Sequence, residues 1–289
     1  MMNLDQNIIS SLQNIVGSSF VFTDEATRKD YGHDETEDYN FPPHVVVKPA
    51  NTLEISEIMK LANANKIPVV PIGGRTGLSG GALSIHGGIG LSMERLNKIL
   101  SIDEQNLQVI TEPAVITQVL KEAVLEKGLF YPVDPSSMGS CFIGGNIAEN
   151  SGGVHSLKYG TTTNNVLGVE IVLMDGTVMK FGGKKLESEG YDLLGLITGS
   201  EGLLGVLTEV TVKILKKPQS VKALLLGFQS VEDSGQCVSD IISGGIIPAG
   251  MEIMDKPLIK ATDDYAKAGY PKDVEAILIV ELDGTESEV

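Results

Sequence analysis

The chain has 289 residues, and its 22 Lys and Arg against 38 Asp and Glu give a formal net charge of −16. This acidic excess argues against binding to nucleic acid or to anionic membrane surfaces, because both need clustered basic side chains. The hydrophobic content of 42% is typical of a globular protein with about two domains. No apolar run reaches the roughly 18–20 residues that span a bilayer.

The cysteines and the N-terminus predict a cytoplasmic location, with peripheral attachment to the inner membrane as an alternative. Cys141 and Cys237 match neither a zinc pattern nor a disulfide framework, so we expect no metal site. The first residues lack the basic flank and apolar run of a signal peptide.

Helical spacing of Leu4, Ile8, Leu12 and Ile15 predicts an opening helix that ends at Gly17. The acidic segment 24–38 is predicted to be a solvated surface excursion. From residue 45 onward the sequence shows closely spaced strand and helix patterns. Predicted strands are at 45–47, 67–71, 99–102, 107–112, 169–174, 177–181, 206–214 and 276–282, and predicted helices are at 51–65 and 117–127.

Two local signals are the strongest of these. Asn51 with Glu54 forms a capping box at the start of a helix, and Asp175-Gly176 between apolar runs predicts a hairpin. A boundary at Lys216-Lys217-Pro218 divides the chain into an N-terminal helix and cover segment (1–40), a central domain (41–218) and a C-terminal region (219–289).

Glycine is the anomaly of the composition. The chain has 33 glycines, against about 20 expected at the usual ~7%. Eight lie among the eighteen residues 73–90, and six lie among the twenty-two residues 139–160. Because glycine lets a backbone approach a ligand closely, two dense clusters indicate one ligand held by two loops.

The first cluster follows a predicted strand and suits a pyrophosphate. Successive small residues can turn several backbone N–H groups into one concavity, and Thr76 and Ser79 add hydroxyl donors. Neither the Walker spacing nor Gly-x-Gly-x-x-Gly is present. On this pattern alone, a glycine-rich surface loop is an equal alternative.

The second cluster narrows the choice of ligand. Tyr-Pro-Val-Asp-Pro-Ser-Ser at 131–137 precedes Ile-Gly-Gly-Asn-Ile-Ala-Glu-Asn-Ser-Gly-Gly at 143–153, followed by Leu-Gly-Val-Glu at 167–170 and Gly-Ser-Glu-Gly-Leu-Leu-Gly-Val at 199–206. Together these resemble the FAD-binding domain of the vanillyl-alcohol oxidase / p-cresol methylhydroxylase (PCMH) superfamily. The nearest resemblance is to its 2-hydroxy acid oxidoreductase branch, of the glycolate oxidase and D-lactate dehydrogenase type.

This resemblance implies an α+β protein: a two-subdomain PCMH-type FAD-binding fold followed by an incomplete ferredoxin-like cap domain, as in a C-terminally truncated relative. It implies FAD that is not covalently bound, since residues 72–77 contain no His or Cys. Cys141 does not have the spacing of relatives that form a thioether. The cofactor-binding residues that it implies are Pro71, Ile72, Gly73, Gly74, Arg75, Thr76, Gly77, Gly80, Pro132, Asp134, Ser136, Ser137, Gly139, Ile143, Gly144, Gly145, Asn146, Asn150, Gly152, Gly153, Glu201, Gly202 and Val206.

The resemblance further implies oxidation of a small 2-hydroxy acid by hydride transfer to flavin N5, followed by electron transfer to a quinone, a protein or oxygen. His155 is a candidate base, with a structural hydrogen-bonding role as the alternative. Arg75 and Lys158 are candidates to offset the cofactor's charge, and Lys158 and Tyr159 could equally be structural.

Two functional hypotheses stay open at this point. The chain is either an oxidase or dehydrogenase, or a non-catalytic FAD-binding module or subunit that needs a partner for turnover. A reductase with a nicotinamide donor is a weaker third. We also expect a homo-oligomer or a partner subunit, because an incomplete cap leaves apolar surface exposed.

Overall fold

A computed structural model describes residues 4–36, 38–183 and 190–289. Residues 1–3 and 37 of the predicted N-terminal segment, and 184–189 of the predicted central domain, lie outside the described residues. The chain divides into two compact units. Unit 1 contains the described residues up to Tyr131 with Ser136–Ser151 and Thr162–Leu215, and unit 2 contains Pro132–Pro135, Gly152–Thr161 and Lys216–Val289.

The secondary structure mixes helices and strands, as predicted. The helices are α1 (Gln6–Val16), α2 (Glu25–Asp30), α3 (Thr52–Asn65), α4 (Thr117–Leu125), α5 (Ile143–Glu149), α6 (Ser156–Tyr159), α7 (Thr162–Asn165), α8 (Leu193–Ile197), α9 (Val231–Ser243) and α10 (Lys256–Ala266), with a 3-10 turn at Ser18–Phe20. The strands are β1 (Val21–Phe22), β2 (Val45–Val47), β3 (Val69–Ile72), β4 (Ile89–Ser92), β5 (Ile99–Asp103), β6 (Gln108–Thr111), β7 (Leu129–Phe130), β8 (Val166–Val172), β9 (Val178–Gly182), β10 (Val206–Lys213), β11 (Leu215–Lys216), β12 (Ser220–Phe228), β13 (Gly250–Asp255) and β14 (Ala276–Gly284). Over the described ranges, no helix is both long enough and apolar enough to cross a bilayer.

The first sheet of unit 1 has the strand order β1-β2-β4-β3. Strands β2, β4 and β3 run parallel, and β1 pairs antiparallel with β2. Leu12 of α1 and Ile55 and Ile58 of α3 are fully buried in one core cluster with residues of β2 and β4. The first glycine cluster therefore begins at the carboxyl end of a parallel strand, where open α/β sheets commonly bind ligands.

Local chemistry sets the ends of α3, and the predicted cap is confirmed. Asn51 Oδ1 accepts a hydrogen bond from the Glu54 N–H at 2.9 Å, and Glu54 Oε2 accepts one from the Ala50 N–H at 2.7 Å. Lys66 ends the helix in the left-handed conformation, with a φ of 56°.

The second sheet of unit 1 has the order β5-β6-β10-β8-β9, and all its strand pairs are antiparallel. The predicted hairpin between β8 and β9 is confirmed: Asp175 Oδ1 accepts from the Thr177 N–H at 2.8 Å, and Gly176 has a φ of 84°. Along β10 buried residues alternate with half-buried ones, except that Thr211 is buried on the opposite face.

The prediction for segment 24–38 is wrong at three residues. Tyr31, Gly32 and Asp34 are buried, although most of their neighbours are exposed. The Tyr31 ring packs in a small cluster with Val46 and Ile72, and its hydroxyl donates to a carboxylate oxygen of Glu94. Tyr31 therefore packs this acidic segment against the first sheet.

Unit 2 contains a three-stranded antiparallel sheet of order β12-β14-β13. The central strand β14 is buried over Ala276–Leu278, and Ile277 clusters with Ile259 of α10 and Val274. The predicted C-terminal strand is thus confirmed, two residues longer than expected.

Candidate functional site

The first glycine loop provides a run of unpaired backbone donors. Among the described residues, none accepts a hydrogen bond from the N–H groups of residues 73–79. The Gly77 carbonyl accepts from the Glu35 N–H at 3.1 Å, which anchors the loop. Arg75 has a φ of 57°, a conformation that is costly for a non-glycine residue and is often found at functional sites. The loop can therefore donate several hydrogen bonds to an anion.

The second loop is less open to an anion than its sequence indicates. At the start of α5 the Ile143 N–H donates to the Val115 carbonyl at 3.0 Å, and the Gly144 N–H donates to the Pro113 carbonyl at 2.8 Å. A Cβ at Gly144 would lie 2.7 Å from Cβ of Pro113. Gly144 therefore serves close packing, and among these three residues only Gly145 keeps its N–H without an acceptor in the described part of the chain.

The two loops line one cavity of about 300 Å³, and all its lining residues belong to unit 1. This volume lies at the lower end of the range for small-molecule sites. The predicted cofactor-binding residues that line it are Pro71, Gly73, Gly74, Arg75, Thr76, Gly77, Ser137, Gly144, Gly145, Asn146, Glu201, Gly202 and Val206. The structure thus joins segments separated by more than one hundred residues.

Several predicted residues of unit 1 lie outside the cavity lining, namely Ile72, Gly80, Ser136, Gly139, Ile143 and Asn150. Ile72 and Ile143 are fully buried in the core. Asn150 ends α5 with a φ of 51°, and its Oδ1 accepts from the Thr163 N–H at 2.9 Å. At these three positions the structure shows a packing or capping role.

The cavity lining also includes residues that were not predicted to bind the cofactor. Asp34, Met93 and Pro113 come from three other segments, and Glu149 lies inside the second motif without having been selected. The search for glycine-rich segments could not identify these residues, because none of them is a glycine. The bond between Glu35 and Gly77 brings Asp34 to the cavity.

The side-chain charges at the cavity are mostly acidic. The Arg75 guanidinium lies 4.7 Å from the Tyr31 ring centroid, and its Nη2 is 3.4 Å from Asp30 Oδ2, so its charge is already partly balanced. Partial burial, together with the carboxylates of Glu201 and Asp34, raises the pKa of Glu149. An anionic ligand here depends on backbone N–H groups more than on basic side chains.

In unit 2, His155 bridges two carboxylates. Its Nδ1 is hydrogen-bonded to Asp134 Oδ2, and its Nε2 lies 3.0 Å from Glu281 Oε1 on β14. The hydrogen bond to Asp134, and then that to Glu281, raises the pKa of His155 to about 9. The imidazole is therefore protonated at neutral pH, and a base at this position would first have to lose that proton.

Lys158 and Tyr159 both bind Asp283 of β14. The Lys158 ammonium donates to the Asp283 carbonyl and carboxylate, and the Tyr159 hydroxyl donates to Asp283 Oδ2, each at 2.5 Å. Burial and Asp283 raise the pKa of the Tyr159 hydroxyl. These contacts match the structural alternative for both residues. The predicted site residues Pro132, Asp134, Gly152, Gly153 and His155 all belong to unit 2.

The unit 1 cavity fits the phosphate part of a dinucleotide. A Cβ added at Gly77 or Gly145 would meet no atom within 4 Å, and one added at Gly73 would meet nothing nearer than 3.8 Å. The missing side chains thus leave room that a ligand can occupy. Together with the unpaired N–H groups of residues 73–79, this suits a group with two adjacent phosphates.

Comparison with protein families gives two matches. Residues 43–182 match the model of an FAD binding domain, and residues 217–289 match the C-terminal domain of FAD linked oxidases. The first match contains both glycine clusters, and the second begins at residue 217.

Two curated relatives align along almost the whole chain. The glycolate oxidase subunit GlcD of Escherichia coli strain K12 is 46% identical over 96% of the chain, which covers 55% of that protein. The D-lactate dehydrogenase of Anaerostipes hadrus is 37% identical over 93% of the chain, which covers 58% of it. The chain therefore spans a little over half the length of these relatives.

Solved structures support the fold. Alkyldihydroxyacetonephosphate synthase matches 99% of the chain and 57% of its own with a TM-score of 0.85 at 19% identity. A p-cresol methylhydroxylase matches 98% of the chain and 61% of its own with a TM-score of 0.76 at 18% identity. The fold is thus that of the PCMH-type flavoproteins, as predicted.

Proposed function

The chain belongs to the family of FAD-linked oxidases, and from that premise we propose that FAD binds without a covalent bond in the unit 1 cavity. The whole protein would then oxidise a small 2-hydroxy acid to the corresponding 2-oxo acid. Bound FAD would supply an acceptor for the hydride at its flavin N5.

One observation of this chain carries the proposal: the unpaired N–H groups of residues 73–79 line a cavity whose glycines leave space for a ligand. In a protein of net charge −16, a dianionic pyrophosphate needs local stabilisation. Backbone dipoles fixed by the Glu35–Gly77 hydrogen bond supply it without a lysine or arginine.

Other residues of unit 1 would hold the cavity in shape. Asn146 is buried and donates from Nδ2 to Thr117 Oγ1 at 2.6 Å, which fixes α5 against α4. Cys141 is buried, with its sulfur 3.3 Å from the same hydroxyl. A thiol in this setting packs as a small apolar group, which supports non-covalent binding.

The substrate class follows from the relatives. Their names specify glycolate oxidase and D-lactate dehydrogenase activity, and both glycolate and lactate are small 2-hydroxy acids. Since the first relative is named as a subunit, we extend the proposal to a partner protein in the active assembly.

Anaerobic reduction of the bound flavin tests the substrate class. Glycolate, D-lactate, L-lactate and D-2-hydroxyglutarate would each be added to flavin-loaded protein, with dithionite as the positive control. We expect at least one of the hydroxy acids to bleach the flavin absorbance, and acid precipitation to leave the flavin in the supernatant. Bleaching by dithionite alone would contradict the proposed activity of this chain.

That outcome would favour the second candidate, an FAD-binding module that needs a partner for turnover. The observation in its favour is that the Escherichia coli relative, 46% identical to the chain, is named as a subunit. Bleaching by NADPH without a hydroxy acid would instead indicate a reductase.

A further inference from the structure

Three carboxyl groups line the unit 1 cavity: those of Asp34, Glu149 and Glu201. Two backbone hydrogen bonds hold two of these segments in place: the Glu35 N–H donates to the Gly77 carbonyl at 3.1 Å, and the Glu201 N–H donates to the Ala148 carbonyl at 2.8 Å. The Glu149 carboxylate lies beside Gly81, where an added Cβ would be 3.3 Å from its Oε1.

Asp34 is the unusual member of this trio. Asp34 is only 8% exposed. Its Oδ1 accepts a hydrogen bond from the Thr36 N–H at 2.9 Å. Its Oδ2 is buried and has no hydrogen-bond partner among the described residues. A buried carboxylate oxygen without a donor is unfavourable, so it calls for a donor from a ligand. Glu149 and Glu201, by contrast, are exposed and lie at the rim of the cavity.

The chemistry of the trio selects the ligand group. Carboxylates only accept hydrogen bonds, so a phosphate would be repelled, whereas a hydroxyl can donate. A metal ion is a poor fit, because in the described part of the chain no three His, Cys, Asp or Glu side chains are grouped to hold one. The unpaired N–H groups of residues 73–79 offer the opposite polarity in the same cavity.

We propose that Asp34, with Glu149 and Glu201 at the rim, forms a subsite for vicinal hydroxyl groups of the bound dinucleotide. This inference rests on the proposed function and deepens it. The hydroxyls belong either to the ribose of the adenosine half or to the ribityl chain of the flavin half. Acidic side chains recognise ribose hydroxyls in dinucleotide enzymes of other folds, where they also disfavour a phosphorylated sugar.

The test compares flavin-free wild-type protein with Asp34→Asn by titration calorimetry. The probes are FAD, ADP, 2′-deoxy-ADP and FMN. We expect Asp34→Asn to weaken FAD binding about ten- to hundredfold, the loss expected when a hydrogen bond to a charged group is removed. Glu35→Gln is the matched control: it removes the same charge one residue away, outside the cavity lining, and should bind FAD as wild type does.

The probes distinguish the two halves of the cofactor. A ribose contact predicts that Asp34→Asn weakens ADP but not FMN, and that 2′-deoxy-ADP binds wild type more weakly than ADP does. A ribityl contact predicts a loss for FMN and none for ADP. Equal affinity of wild type and Asp34→Asn for FAD, ADP and FMN would overturn the subsite.

A second variant covers the case in which Asp34→Asn does not fold. Glu149→Gln with Glu201→Gln changes two exposed side chains and should weaken the same half of the cofactor. If this folded double variant binds FAD as wild type does, the rim role is overturned. Wild-type protein that binds no FAD would overturn the proposed function itself, a result distinct from unchanged binding by the variants.

Discussion

Gly145 and Gly235 both lie in helices. Alanine substitutions at these two positions distinguish an effect on ligand binding from an effect on folding. An added Cβ would meet no atom within 4 Å at either position, yet only Gly145 lines the cavity. Alanine stabilises a helix relative to glycine by up to about 1 kcal/mol. Gly145→Ala should therefore keep or raise the Tm of the ligand-free protein. It should weaken FAD about tenfold, because overpacking costs about 1–3 kcal/mol.

Gly235→Ala is the control, with a similar Tm and unchanged FAD affinity. Thermal melts and FAD titrations of both variants make the comparison. If Gly145→Ala protein binds FAD as tightly as wild type does, the cofactor does not lie against Gly145 of α5.

Adjacent residues of one motif have different roles, and the sequence could not separate them. Gly144 and Gly145 look equivalent in the sequence, but a Cβ at Gly144 would meet Pro113, whereas one at Gly145 would enter open space. The acidic character of its segment predicted that Asp34 is solvated. In the structure it is buried, beside a segment held by Tyr31 and by the Glu35–Gly77 hydrogen bond. Such long-range contacts leave no periodic pattern in the chain.

At the scale of elements, His155 links the loop that carries Asp134 to strand β14. Its pKa is raised to about 9, so its stabilising contribution is fully present below its unfolded pKa of about 6.5 and is lost as pH rises through 9. Replacement by His155→Gln should lower the free energy of unfolding by on the order of 2 kcal/mol at pH 6. The gap to wild type should narrow between pH 6.5 and 9.

Chemical denaturation at several pH values measures this gap. His86→Gln serves as the control, because His86 is exposed and has no hydrogen bond to another described residue. A gap for His155→Gln that stays constant from pH 6 to pH 9.5 would contradict the bridge between Asp134 and Glu281.

Elements with local causes were predictable from the sequence. The Asn51 cap, the Asp175-Gly176 hairpin and the end of α1 at Gly17 each follow from a few neighbouring residues, and all three are confirmed. The position of β10 between β6 and β8 was not predictable, because that pairing joins Val210 to Thr111 and to Val169. The alternating apolar residues of β10 indicate which face of the strand is buried, but they do not indicate which strands lie beside it.

At the scale of the whole molecule, fold and cofactor class were recognisable because the motifs occur in order along most of the chain, and the family matches confirm both. The substrate and the base were harder to predict. In the described part of the chain the cavity lining contains no histidine, and His155 is held as a cation between two carboxylates. The hydroxy acid specificity therefore stays a proposal that rests on relatives almost twice as long.

Thermal denaturation of the purified chain with and without FAD tests the central claim most directly. At a free FAD concentration one hundred times the Kd, binding stabilises the folded state by about 2.7 kcal/mol and should raise the Tm by about 5 °C. The protein should also show the absorbance of bound flavin after gel filtration. An unchanged Tm together with a colourless protein fraction would contradict the account.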